Sequence, residues 1–339
     1  MSKPRQIKPW PDLTGLLPLL RAEEALTKAR AARIHLDMSN VNKVDAIGLS
    51  IFIAQVCQIL AGKEFQPVLT EPKNKRIARE LEELGFQNLL AELNILSSEH
   101  QDLFSPNLTI DGAKTKKIRG SFNKIICVSP ISAVNRSNEI ARIKSEIKEF
   151  LSNDKNESFP HQQVMIILVE LVKNTLDHSG NAALLALKLE SSREGISQFS
   201  FAYSDTGLGI CHSVRRHMAK LVTSEIPNGD ISDARGQISE IRRLAAKGSF
   251  ADLLQWALKP GNSTKHGNGI NLGLGLMLIV EASRNCNVRV TVKDADTSMV
   301  LTELLSPTHS LIRRLGVKTC AAPMLIFYGE IDLEKNYEG

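Results

Sequence analysis

The sequence predicts an α/β protein with two units, and three observations carry that prediction. Strand, helix, strand and helix patterns follow one another between about residues 31 and 85. A long helix pattern at 160–178 runs into two alternating strand patterns at 181–205. A glycine-rich stretch at 272–275 then leads into an apolar helix, a hairpin and a closing strand. At 339 residues the chain has room for one large domain or two ordinary ones.

In ARIHLDMSN (31–39), Ile34, Leu36 and Met38 alternate with His35 and Asp37, which is the period of a strand. Asp45 then stands where it can cap a helix starting near Ala46, and Gly62 where it can end one. QPVLTEP reads as a short strand closed by Pro72. NKRIARELEELGF is amphipathic, with Ile77, Leu81 and Leu84 on one side and Gly85 as its stop. We place the first unit at 15–95, a linker region at 96–134 and the second unit at 135–335. The linker has SPN and DGA turns, and its KTKK run (114–117) reads as a solvated loop.

EIARIKSEIKEFLSNDKNESF (139–159) predicts a helix and a polar break, and FPHQQVMIILVELVKNTLDHSG a longer helix. NAALLALKLE (181–190) and ISQFSFAYSD (196–205) read as neighbouring strands. A partly helical insertion spans about 211–271. NVRVTVKD and SMVLTELL predict a hairpin around DADT, and APMLIFYGEI the closing strand.

Composition narrows the function classes. Aromatic residues make up only 5%, too few to favour a surface that stacks sugars or single-stranded bases. The formal charge of +5 comes without a dense Lys/Arg block, which argues against nucleic acid and fits a nucleotide or an acidic protein surface. Cys57, Cys127, Cys211, Cys286 and Cys320 are scattered without a CxxC pair, which fits a reducing compartment rather than a disulfide framework or zinc site. The N-terminal MSKPRQIKPWPDL has no hydrophobic signal segment after it, and no apolar run is long enough for membrane insertion, so the expected location is cytoplasmic.

Chemistry-bearing residues gather in three motifs. Glu170, Asn174 and His178 recur every four residues and drift by only about 40° per step, so they line one helix face. Such a stripe is either a wetted surface or a working face: a carboxylate can orient water and an amide oxygen can meet Mg²⁺. Asp205 in SDTGLGI can accept a hydrogen bond from an exocyclic amine, while Gly207 and Gly209 let the backbone turn beside a flat ligand; an ordinary turn has the same pattern. In NLGLGLMLIV, Gly273 and Gly275 precede a helix whose free N–H groups suit phosphate, although a simple capping loop would read the same. Neither a G-x-x-x-x-G-K-[ST] loop nor an early G-x-G-x-x-G fingerprint occurs.

Together, ELVKNTLDH (170–178), DTGLG (205–209) and GLGL (273–276) resemble the N box and two glycine boxes of the histidine-kinase, gyrase, Hsp90 and MutL superfamily of ATP-binding domains. The resemblance spans about 135–335 and implies a Bergerat-fold α/β sandwich that binds ATP with Mg²⁺. It implies that Asn174 coordinates Mg²⁺ and that Asp205 binds the adenine amine, with Gly207 and Gly209 shaping the base pocket. Gly273 and Gly275 would let the lid and helix start approach the phosphates, and Glu170 would position or deprotonate the attacking nucleophile. His178 would support the polar lining. GNSTKHG resembles the ATP lid, with Thr264 and Lys265 either touching phosphate or lying in a surface loop. Two departures stand out: the insertion between the glycine boxes is long, and no Gly-Thr precedes the last strand.

HLDMSNVNKVDAIGLSIFIAQV resembles the STAS fold of anti-sigma-factor antagonists, over about residues 15–95. The family's phosphorylated hydroxyl has no counterpart in Asp45-Ala46-Ile47-Gly48, and Ser50 reads as a plain helix residue. The pairing implies a partner-switching signalling regulator with protein serine/threonine kinase or slow ATPase activity and a regulatory protein as partner, with homodimerisation left open. The other reading is a nucleotide-gated interaction module without significant turnover. A gyrase- or MutL-type ATPase fits less well, because no transducer domain follows the ATP-binding region.

Overall fold

The computed structural model describes residues 5–7, 12–14, 33–60, 66–93, 95, 115–118, 120–128, 135–153, 159–178, 182–192, 195–205, 209–223, 231–258, 275–286, 288–294, 297–300, 313–314 and 325–332. Among these the architecture is mixed α/β. The first part of the chain comprises β1 (Arg5–Ile7), β2 (Asp12–Leu13), β3 (Arg33–Asp37), β4 (Lys43–Val44), α1 (Ala46–Leu60), β5 (Gln66–Thr70), α2 (Lys75–Glu83) and α3 (Phe86–Glu92). Parallel strands β1, β3 and β5 form one small sheet in that order, and β2 pairs with β4 in another. β1 and β2 lie before residue 15, where the sequence reading begins this unit, because they supply edge partners to β3 and β4.

Helix α1 begins as its sequence dictates. The Asp45 carboxylate accepts the Gly48 N–H at 2.8 Å, satisfying a donor that the first helical turn leaves open. A side chain at Gly48 would collide with the Leu13 carbonyl, so only glycine lets β2 lie this close to the helix. Ser50 is fully buried and bonds back to the Ile47 carbonyl at 2.9 Å, as an ordinary helix serine does. Asn74 caps α2 through the Arg76 N–H. Gly85 ends that helix as expected, but its φ of 73° also turns the chain directly into α3, which its short sequence does not announce.

The second part comprises β6 (Lys116–Ile118), β7 (Ser121–Val128), α4 (Arg136–Leu151), α5 (His161–His178), β8 (Ala183–Ser192), β9 (Gly195–Asp205), α6 (Gly209–Thr223), α7 (Ile231–Lys247), α8 (Phe250–Leu258), α9 (Gly275–Asn285), β10 (Arg289–Asp294), β11 (Thr297–Val300), β12 (Arg313–Arg314) and β13 (Leu325–Asp332). Its strands form one antiparallel sheet in the order β12-β11-β10-β13-β9-β8-β7-β6. The β6–β7 hairpin falls within the stretch read as linker; it pairs with β8 and is part of this sheet. The expected β10–β11 hairpin forms, and the closing strand β13 inserts between β10 and β9.

Alternation along the central strands sends side chains to two covered faces. Leu185, Leu187, Leu189, Phe199, Phe201 and Tyr203 pack in one core with residues of α4, α5 and α9. Leu184, Ala186, Ala202, Ile125, Cys127 and Ile326 share the other core with α1, α2 and α3. Burial on both faces accounts for the nearly unbroken apolar run of β8. The two parts of the chain thus meet through α1, which lies across β7, β8 and β9. Polar anchors frame this contact: Asp45 Oδ2 lies 3.0 Å from Lys188 Nζ, and the Ala46 N–H donates to Asn123 Oδ1 at 3.2 Å. Burial works against the Lys188 ammonium, but Asp45 and Glu190 beside it prevail and leave its pKa raised.

The insertion after β9 carries α6, α7 and α8, which gather around Val214, Met218, Leu244, Leu253 and Trp256. Arg215 fastens this group by donating to the Gly248 carbonyl at 2.8 Å. Among the described residues, no helix is long and apolar enough to cross a membrane.

Candidate functional site

Helix α5 is held by Val164, Ile167, Leu168, Leu171 and Val172, all buried in the core on the inner side of the sheet. That packing fixes its remaining faces. Glu170 and Asn174, one turn apart, stay partly exposed, and the amino end of α9 comes up against them. A methyl group at Gly275 would stand 3.1 Å from Asn174 Oδ1 and 3.5 Å from Glu170 Oε2. Glycine therefore leaves space where an amide, a carboxylate and a helix amino terminus converge. The first N–H groups of α9 lack intrahelical acceptors and bring a favourable field for an anion.

Glu170 is not a bare carboxylate: its Oε1 pairs with Lys173 Nζ at 2.5 Å, while Oε2 is the oxygen nearest Gly275. The next residue toward the sheet is Thr175, whose hydroxyl donates to Asp205 Oδ2 at 3.0 Å. Asp205 closes β9 and is 8% exposed, so one helix connects the carboxylate at the strand end with the Glu170–Asn174 pair. Two positions before Asp205 on the same strand face stands Tyr203, almost wholly buried.

Of the residues singled out in the sequence, the structure thus brings Glu170, Asn174 and Gly275 together and ties Asp205 to their helix through Thr175. His178 is the last residue of α5, but its ring lies outside the described residues. Gly209 is the first residue of α6. Gly207, Thr264, Lys265 and Gly273 lie outside the described residues. Sequence reasoning missed Thr175. Thr175 is inside the motif that drew attention, but the four-residue spacing looks past it; the signal available was a polar residue on the sheet-facing side of an apolar helix.

A hard cation prefers oxygen donors such as the Asn174 amide and the Glu170 carboxylate, and with Mg²⁺ it keeps several waters or phosphate oxygens of its own. Among the described residues no group of three or more His, Cys, Asp or Glu side chains is placed to hold a metal ion. The donor set fits a cation that arrives with its ligand better than a resident one enclosed by protein. No family model matches the chain, and a search of the curated proteins finds no match.

Proposed function

We propose that the protein is an Mg²⁺-dependent ATP-binding signalling regulator, with protein serine/threonine kinase or slow ATPase activity in a partner-switching system. The observation that carries this reading is the convergence of Asn174 and Glu170 on Gly275, with Asp205 bonded to the same helix through Thr175. The three motifs are far apart in the sequence, and a nucleotide needs its base, metal and phosphate contacts within one molecule's length of each other. The antiparallel sheet with α4, α5 and α9 on one side supports assigning the second part to the Bergerat fold. The strand, glycine turn and helix around Asp45 support a STAS-like first part.

In this reading Asp205 accepts from the adenine amine, and Thr175 orients the carboxylate by its hydrogen bond. The amino end of α9 faces the phosphates, and the Asn174 oxygen holds the cation, which supplies charge neutralisation when it is bound. Glu170 orients or deprotonates the nucleophile, either water or a protein hydroxyl, once Lys173 yields its hold. The second reading, a nucleotide-gated interaction module without significant turnover, is favoured by that same Lys173 contact, which leaves Glu170 already engaged.

Mg·ATP titration by calorimetry, followed by steady-state phosphate release, tests the proposal. Saturable binding is expected, with turnover that falls by about a hundredfold or more in Glu170→Gln. Binding without turnover, alone or with a co-purifying partner, selects the module. No binding rejects both readings.

A further inference from the structure

We propose that Lys173 makes the candidate site responsive to a terminal phosphate. Its ammonium exchanges the Glu170 carboxylate for a phosphate oxygen of a bound triphosphate, and Glu170 is released only then. This rests on the reading of the α9 amino end as the place of the phosphates. The observation behind it is a bridge. Lys173 Nζ lies 2.5 Å from Glu170 Oε1, while Oε2 of the same carboxylate is 3.5 Å from where a Cβ on Gly275 would stand. One carboxylate group thus separates the ammonium from the start of α9.

Helix pairs of similar spacing, Arg76–Glu80 and Arg79–Glu83 on α2, brace a single helix and contribute little. The Lys173 pair differs because its carboxylate reaches a second helix, whose open N–H groups suit an anion. A carboxylate standing there repels a polyanion, so the site needs a cation to neutralise it. Exposure is uneven: the Lys173 side chain is 35% exposed and that of Glu170 14%, so it is the ammonium that an incoming ligand can meet. Lysine carries three donors on a flexible four-carbon stem and changes partners without moving its backbone. A terminal phosphate bears more charge than a carboxylate and offers more oxygens, so it wins the ammonium. A diphosphate ends one phosphate short and leaves Glu170 held.

Calorimetry with Mg·ATP and Mg·ADP on wild type, Lys173→Met and Lys173→Arg tests the exchange. Lys173→Met should bind ATP about tenfold more weakly and ADP within about twofold of wild type. Lys173→Arg, which keeps the charge, should recover most of the preference for ATP. Without nucleotide, Lys173→Met should melt within about 2 °C of wild type, as the loss of a partly exposed helix pair allows. Repeating Lys173→Met in a Glu170→Gln background separates phosphate contact from mere neutralisation, and ATP should still bind more weakly there. A Lys173→Met change that is harmless in that background, weakens ATP and ADP alike, or lowers the melting temperature well beyond that range overturns the inference while sparing the site. Wild type that binds neither nucleotide fails at the site itself, and the inference goes with it.

Discussion

Gly275 shows how much one missing methyl can decide. Replacing it with alanine should favour the helix by propensity, yet the new Cβ would press on the Asn174 amide oxygen from 3.1 Å and push it aside by a few tenths of an ångström. We expect Gly275→Ala to keep or slightly raise thermal stability while lowering Mg·ATP affinity about threefold to tenfold, read by calorimetry. A loss of stability with unchanged affinity would mean that the glycine serves packing alone. Cysteine chemistry gives a second prediction at this scale. Burial lifts the Cys57 thiol from 9.0 to about 12 and the Cys286 thiol from 9.0 to about 11. For Cys57 that lowers the thiolate fraction near neutral pH by about a thousandfold. Alkylation of the native protein at about pH 8, followed by mass spectrometry, should therefore label both far more slowly than after denaturation. Rapid native labelling of Cys57 would show that the packing around α1 opens readily.

Among elements, α1 is the most exacting, because its third residue must be small for β2 to reach it. Gly48→Ala places a methyl group on the Leu13 carbonyl, and the resulting shift should cost about 1–3 kcal/mol in denaturant unfolding. An unchanged midpoint would show that β2 contributes little. This helix was also the most legible in the sequence: Asp45 caps it as its position requires. The long α5 and the alternating β8 and β9 were legible for the same reason, since each buries a face whose period is written in its residues. The β6–β7 hairpin was not. Lys124 is buried on β7 and satisfied by Glu146 and Glu149 of α4, a pairing across 22 and 25 positions that no local pattern can announce. In the candidate site, Glu170, Asn174, Asp205 and Gly275 stood out because their chemistry is unusual in apolar segments. Thr175 did not, because its importance lies in a contact between a helix and a strand end.

Across the whole molecule, one sheet serves two masters. Its inner face carries α5, α9 and the candidate site, and its outer face carries α1 with the first part of the chain. The two are back to back on β8 and β9, so the first part is seated away from the site rather than over it. Asp45 and Lys188 pin this arrangement from opposite parts of the chain. A double-mutant cycle with Asp45→Asn and Lys188→Met should return a coupling of about 0.5–3 kcal/mol in unfolding free energy. Additive effects would show that the apolar contact alone holds the parts together. If the first part is a signalling module and the candidate site takes a nucleotide as proposed, the first part already grips the strands that support that site, and a partner that loosens α1 would be felt through β9, where Asp205 stands.

The central claim is that Asp205 receives the base of a bound adenine nucleotide, and Mg·ATP calorimetry on wild type and Asp205→Asn addresses it most directly. The substitution keeps the shape and an oxygen for Thr175 but removes the carboxylate's charge. The account predicts saturable wild-type binding and an affinity lower by about tenfold to a hundredfold in the variant, with the folded structure intact by circular dichroism. Equal affinity in the two proteins would contradict it.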